Sequence, residues 1–125
     1  MDPMNIKSFY VSGDEHQIIR CAAEHLGMTA TGFMTAELWV TKGVGSVSAE
    51  IKMNIDTSRG AYHEGFKRRH QVRLRYNNEV VQFLDRSAKK EDCTRVQLIR
   101  AIVLTASKTI IRKNKLKVPH AKEAA

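Results

Sequence analysis

Residues 71–110 read QVRLRYNNEVVQFLDRSAKKEDCTRVQLIRAIVLTASKTI. The first six alternate, with Val72, Leu74 and Tyr76 apolar and Gln71, Arg73 and Arg75 polar. That alternation predicts a short strand with one apolar face. The spacing then turns helical and predicts an amphipathic helix over about 78–90. Glu91-Asp92-Cys93 is a polar break. Thr94-Arg95-Val96-Gln97 follows and has the form of a capping box. The Thr94 hydroxyl would accept an orphan backbone N–H, and Gln97 would reach back to the cap. The second helix is predicted to run through Ile110 and Ile111 to about Lys113. A strand and two helices in about 40 residues bury too little surface to fold alone. The stretch needs a second copy.

The second copy is in the same chain. Thr29 corresponds to Thr94, and the same offset in numbering holds without a gap along the whole repeat. Phe9 falls on Leu74, Val11 on Tyr76, Ile18 and Ile19 on Phe83 and Leu84, and Ala23 on Ala88. Phe33 falls on Leu98, Met34 on Ile99 and Leu38 on Val103. Few residues are identical, but apolar character persists position by position through a strand, two helices and a cap.

Strand, helix, then [Ser/Thr]-x-x-x-[Leu/Phe]-[Ile/Met] opening a second helix resembles the ribbon-helix-helix DNA-binding fold of the MetJ/Arc type. The stretches that carry the likeness are VRLRY…DCTRVQLIRAIV and KSFYV…GMTATGFMTAEL, over roughly 5–42 and 71–112. The resemblance implies a mainly α protein with a short β-ribbon. Two tandem ribbon-helix-helix motifs would form an intramolecular pseudo-dimer. Members of the family usually dimerise and insert an antiparallel two-stranded ribbon into the major groove. Tandem copies are known in the TraY-type relaxosome proteins and the VirC-type virulence proteins of T-DNA transfer, which serve as analogues.

The whole chain of 125 residues has the length of one domain. Its formal net charge of +8 points to a polyanionic partner. The charge is uneven: residues 1–42, 43–70 and 71–125 carry −2, +2 and +8. The second repeat and the tail hold the basic surface. No apolar run approaches the roughly 18 residues of a membrane span, and the N-terminus does not read as a signal peptide. Cys21 and Cys93 have no metal spacing, and with these features they suggest a reducing cytoplasm.

In the first repeat a strand is expected over Asn5 to Val11, with Phe9 and Val11 on one face and Ser8 and Tyr10 on the other. Ser12-Gly-Asp-Glu15 is another capping box. The helix it opens should bury Ile18, Ile19, Ala22, Ala23 and Leu26. Gly27 suits a left-handed C-terminal position. Thr29 caps a helix expected over about Ala30 to Thr41, ended by Gly43. Its stripe is Phe33, Met34, Glu37 and Leu38, and Met34 and Trp39 are packing residues. Residues 43–70 connect the repeats. Ser46 to Asp56 alternates through Val47, Ala49, Ile51, Met53 and Ile55 and is read as an extra strand, although Val47, Ile51 and Ile55 also suit a helix. A turn is expected at Thr57-Ser58-Arg59-Gly60. Pro119 closes off the last helix, and 114–125 forms a basic flexible tail.

Five residues are candidate base readers: Gln71, Arg73 and Arg75 on the second strand, and Ser8 and Tyr10 at the equivalent positions of the first. Arginine makes two hydrogen bonds to guanine O6 and N7, and glutamine does the same for adenine. One strand is strongly basic and the other nearly neutral, which predicts an asymmetric site. The capped helix starts at Thr29-Ala30 and Thr94-Arg95 offer backbone N–H groups to anions. By the family resemblance they would clamp phosphates beside the ribbon. Lys7, Lys67, Arg68 and Arg69 are further phosphate candidates, and so are Arg112, Lys113, Lys115 and Lys117. Catalysis is not expected. Cys21 and His25 make half a metal site with no second pair, and His16, His63, His70 and His120 show no triad spacing. No metal or cofactor is expected.

The expected function is sequence-specific binding of double-stranded DNA through the ribbon. The protein would act as an accessory factor in conjugative or mobilisation DNA processing, binding near a transfer origin with a relaxase or another transfer protein as partner. The rival uses are a transcriptional repressor or autoregulating antitoxin, and a helical assembly module that does not bind DNA. The repeats would pair within one chain as a monomeric pseudo-dimer, or between two chains as a homodimer.

Overall fold

Four residues stop an extended segment and start a helix. Ser12 and Thr94 complete capping boxes with Glu15 and Gln97. Thr29 and Asn77 accept one N–H each, from Gly32 and Val80. Each cap satisfies a donor that the first helical turn would leave orphaned, and is worth about 1 kcal/mol. These four points divide the protein, whose structure is a computed structural model describing residues 5–55 and 69–118. The order is β1 (Asn5–Ser12), α1 (Gly13–His25), α2 (Ala30–Val44), α3 (described over 49–55), β2 (Arg69–Tyr76), α4 (Asn78–Lys90) and α5 (Arg95–Asn114). The fold is mainly helical. Among the described residues, no helix is long and apolar enough to cross a membrane.

The offset that maps Thr29 onto Thr94 holds in the backbone. It carries both ends of α1 onto those of α4, and the cap Ser12 onto the cap Asn77. The two inter-helix turns also match. Gly27 and Asp92 both take the left-handed conformation, with φ of 69° and 54°. The next N–H in each case returns to the helix, Met28 to the Ala23 carbonyl and Cys93 to that of Ala88, both at 2.9 Å. Glycine takes that conformation freely, and aspartate is among the few other residues that tolerate it.

β1 and β2 pair antiparallel, from Asn5 opposite Tyr76 to Ser12 opposite Arg69. The register has a centre. Ser8 faces Arg73, and these two positions are themselves equivalent under the offset. Moving out from that pair, Lys7 faces Leu74 while Phe9 faces Val72, and Ile6 faces Arg75 while Tyr10 faces Gln71. One face of the ribbon is buried through Phe9, Val11, Val72, Leu74 and Tyr76. These side chains join Ile19, Phe33, Leu38, Leu84, Leu98 and Ile102 in one core drawn from both halves.

Several boundaries differ from expectation. α2 passes through Gly43 to Val44, and Gly45 takes the left-handed C-terminal position with φ 85°. Gly43 meets nothing that requires a glycine there. Leu26 is exposed, because it is the C-cap residue of α1 and lies past the helix's buried face. The strand expected over 46–56 is instead helical at 49–55. Ser48 begins it, its hydroxyl accepting the Ile51 N–H at 3.2 Å. A strand would bury Ile51, Met53 and Ile55 together. The helix buries Ile51 and Ile55, four apart, and leaves Met53 72% exposed. The expected turn at 57–60 lies outside the described residues.

Two predictions arise here. Ile55→Ala is expected to cost about 2–5 kcal/mol, as a buried deletion does, and Met53→Ala to stay within about 0.5 kcal/mol. Urea denaturation measures both, and equal losses would support a strand. The second concerns Glu37, whose counterpart in the second half is the buried Ile102. Burial raises the Glu37 carboxyl above the ordinary carboxylate range. A raised folded pKa adds stability below the unfolded value, about 4.3, and that stability is lost as pH rises through the folded value. Glu37→Gln should therefore raise the melting temperature at pH 7 and leave it unchanged below about pH 4.

Candidate nucleic-acid interface

β2 alternates as its sequence requires. Val72, Leu74 and Tyr76 enter the core, and Gln71, Arg73 and Arg75 are exposed on the opposite face. Neighbours on one face of a strand are two residues apart, or about 6.8 Å. That is close to two steps of a DNA strand at about 3.4 Å each. Each arginine presents paired N–H donors in a planar fork. The partner strand places Ile6, Ser8 and Tyr10 opposite these three positions. The side chains of Lys7, Ser8, Tyr10 and Arg69 lie outside the described part of the molecule, as do residues Lys67 and Arg68.

α2 runs beside the arginines. Thr31, Gly32, Thr35, Ala36 and Trp39 form one wall of an open cleft of about 490 Å³, and Arg73 and Arg75 line it from β2. The first turn of α2 thus lies next to two guanidinium groups. The Thr29 hydroxyl accepts the Gly32 N–H at 3.0 Å, fixing the helix start and leaving neighbouring first-turn N–H groups without a helical partner. Trp39, expected to pack, is 38% exposed, with the Lys42 ammonium 5.7 Å from its ring centre. Its counterpart Leu104 is buried. The two helices differ because α3 covers α5. Asn54 donates to Thr105 at 2.7 Å and accepts from Lys108 at 3.2 Å. The matching surface of α2, at Val40 and Val44, is exposed.

At the other helix start the expected phosphate contact is weakened. Arg95 donates to both oxygens of Asp85, at 2.7 and 2.9 Å. Hydrogen bonding to Asp85 raises the Arg95 guanidinium above its ordinary value. Arg95 is therefore committed to a structural ion pair, whose Asp85 partner the spacing argument did not include. Thr94 acts as a cap, accepting the Gln97 N–H at 3.1 Å. Burial, ahead of the opposing influence of Arg95, raises the neighbouring Tyr76 phenol. Arg112, Lys113, Lys115 and Lys117 are exposed at the end of α5 and just beyond it.

Burial raises the Cys21 thiol, which also points its Sγ at the Lys117 carbonyl at 3.7 Å. That contact gives Cys21 a packing role and brings the chain after α5 back to α1. Among the described residues, no group of His, Cys, Asp and Glu side chains has the arrangement of a metal site. No family model matches this chain, and neither a curated protein nor a solved structure does.

Proposed function

We propose that this protein binds double-stranded DNA sequence-specifically, as a tandem ribbon-helix-helix pseudo-dimer whose β1–β2 ribbon enters the major groove. The observation that carries this reading is the ribbon itself. One of its faces is buried at Phe9, Val11, Val72, Leu74 and Tyr76, and the other presents Gln71, Arg73 and Arg75 to solvent. A two-stranded ribbon fits the major groove, and these side chains are the types that read guanine and adenine edges. The constant offset between the halves and the Ser8–Arg73 centre support the pairing of two equivalent motifs. The first turn of α2 shares a cleft with Arg73 and Arg75, which supports a phosphate contact there, while the Asp85–Arg95 pair makes the start of α5 a weaker clamp.

The two strands differ at every outward position, so the preferred site is asymmetric. Of the biological roles, we favour an accessory factor at a transfer origin, on the tandem architecture alone. The test is selection from random and genomic duplexes, followed by binding across a salt series. One selected asymmetric sequence supports the reading, and its position beside a transfer origin or a promoter separates accessory factor from repressor. Equal binding to every duplex, abolished by salt, would reduce the interaction to bulk charge. No binding at all would leave the assembly role.

A further inference from the structure

The cleft between α2 and β2 joins two kinds of surface. Ala36 and Trp39 give it an apolar wall, and Arg73 and Arg75 bring two guanidinium groups to it. Among the described residues that line it, none carries a carboxylate. Trp39 is exposed, and the Lys42 ammonium beside its ring is itself held by Glu79 at 3.2 Å. Under the offset between the repeats, the equivalent site would lie between α5 and β1. There Thr35, Ala36 and Trp39 become Arg100, Ala101 and Leu104, all buried. Arg100 donates to Glu15 of α1 at 2.6 Å. Arg73 and Arg75 become Ser8 and Tyr10, which carry no charge. The exposed indole and the two cations are therefore features of one side of the ribbon centre, and the repeat architecture does not require them.

We infer that this cleft binds a planar aromatic carboxylate, and that the bound ligand blocks DNA reading. The second clause rests on the DNA-binding reading above. A volume of about 490 Å³ falls within the roughly 300–1,000 Å³ of small-molecule sites, which are mostly apolar with a few polar groups that fix orientation. A carboxylate pairs with a guanidinium through two parallel hydrogen bonds. An aromatic ring packs on an indole in the offset or edge-on arrangements that such rings prefer. Inorganic phosphate would satisfy the cations and leave Trp39 unused. A neutral apolar molecule would cover Trp39 and leave the guanidinium groups without an anion. An anion with a flat apolar body uses both. The block on DNA follows from the shared groups. A guanidinium whose fork is closed on a carboxylate has no fork left for guanine O6 and N7. Ligand and DNA then weaken one another reciprocally.

Trp39 is the sole tryptophan, so its indole N–H gives a single side-chain signal in a proton–nitrogen spectrum. The full chain is titrated with 2-naphthoate, with 2-naphthamide as the uncharged ring and inorganic phosphate as the anion without a ring. Naphthoate should move the Trp39 signal saturably. Both controls should bind weaker by about tenfold or more, the loss that follows from one charge-assisted hydrogen bond. Trp39→Leu, which installs the counterpart residue, and Arg75→Ala should weaken naphthoate binding similarly by calorimetry. Both positions are exposed, so the variants should keep the fold. No saturable shift, an amide that binds as well as the acid, or unchanged affinity in Trp39→Leu would overturn the site.

The regulatory arm uses a duplex selected from random sequence, at constant ionic strength so that salt alone does not act. Saturating naphthoate should raise the duplex Kd about tenfold or more in the wild type. The same concentration should change it far less in Trp39→Leu. If naphthoate binds and the duplex Kd holds, the regulatory claim is overturned. If naphthoate binds and no duplex does, the DNA reading has failed and the regulatory claim falls with it. A protein that selects a duplex but ignores naphthoate keeps the DNA reading and overturns this inference.

Discussion

The Arg73→Ala/Arg75→Ala protein is expected to lose its preferred DNA sequence and keep a weak, salt-sensitive affinity for any duplex. Both side chains are exposed on the outer face of β2, so their removal leaves the core intact and the fold should survive. A bidentate contact to the correct base is worth roughly 1–3 kcal/mol of discrimination. Two such contacts together correspond to roughly thirtyfold to twenty-thousandfold. Loss of charge alone would act differently, and Lys89→Ala/Lys90→Ala supplies the control. Those lysines are exposed in the last turn of α4, outside the ribbon strands. Removing them should lower affinity for all sequences by a similar small factor. Competition binding against selected and scrambled duplexes reads both effects. If the two double variants lose selectivity equally, β2 does not read bases.

Much of the architecture was legible because it rests on short-range rules. Caps at Ser12, Thr29 and Thr94 depend on three or four neighbouring residues, and alternation in 71–76 depends on six. The offset between the repeats then ties the two halves together and gives the buried and exposed faces of β2. The failures come where two local patterns fit the same residues or where a distant element decides. Apolar residues at 47, 49, 51, 53 and 55 satisfy both a strand and, at 47, 51 and 55, a helix face. Ser48 as a cap and the α5 surface opposite decide for the helix. Trp39 is expected to pack, and its counterpart Leu104 does, but Trp39 itself is exposed. Nothing in the spacing tells that α3 covers the α5 surface and leaves that of α2 open. Arg95 reads as a free cation because Asp85 is ten residues away, beyond helical spacing. Glu15 and Arg100 lie in the first and last helices, and no local rule brings those positions together.

That pair also carries the largest stability effect expected of any single residue here. Glu15→Ala removes the carboxylate that pairs with the fully buried Arg100 side chain. Breaking a buried pair in this way typically costs about 3–5 kcal/mol. The variant also loses the acceptor for the Ser12 N–H, which adds to the loss. Against a total stability of about 5–15 kcal/mol for an ordinary domain, the variant should melt well over roughly 10 °C lower. The reciprocal change should cost less. In Arg100→Leu the remaining charge is Glu15, which still has the Ser12 N–H and enough exposure to reach water. Replacing both, Glu15→Val with Arg100→Leu, exchanges the ion pair for apolar contact of similar volume and should recover most of the loss, as buried pairs often permit. Thermal denaturation of Glu15→Val, Arg100→Leu and the double variant closes the cycle. Additive losses would mean that the residues act separately. A double variant more stable than Glu15→Ala would show that breaking the pair costs more than replacing it with apolar side chains.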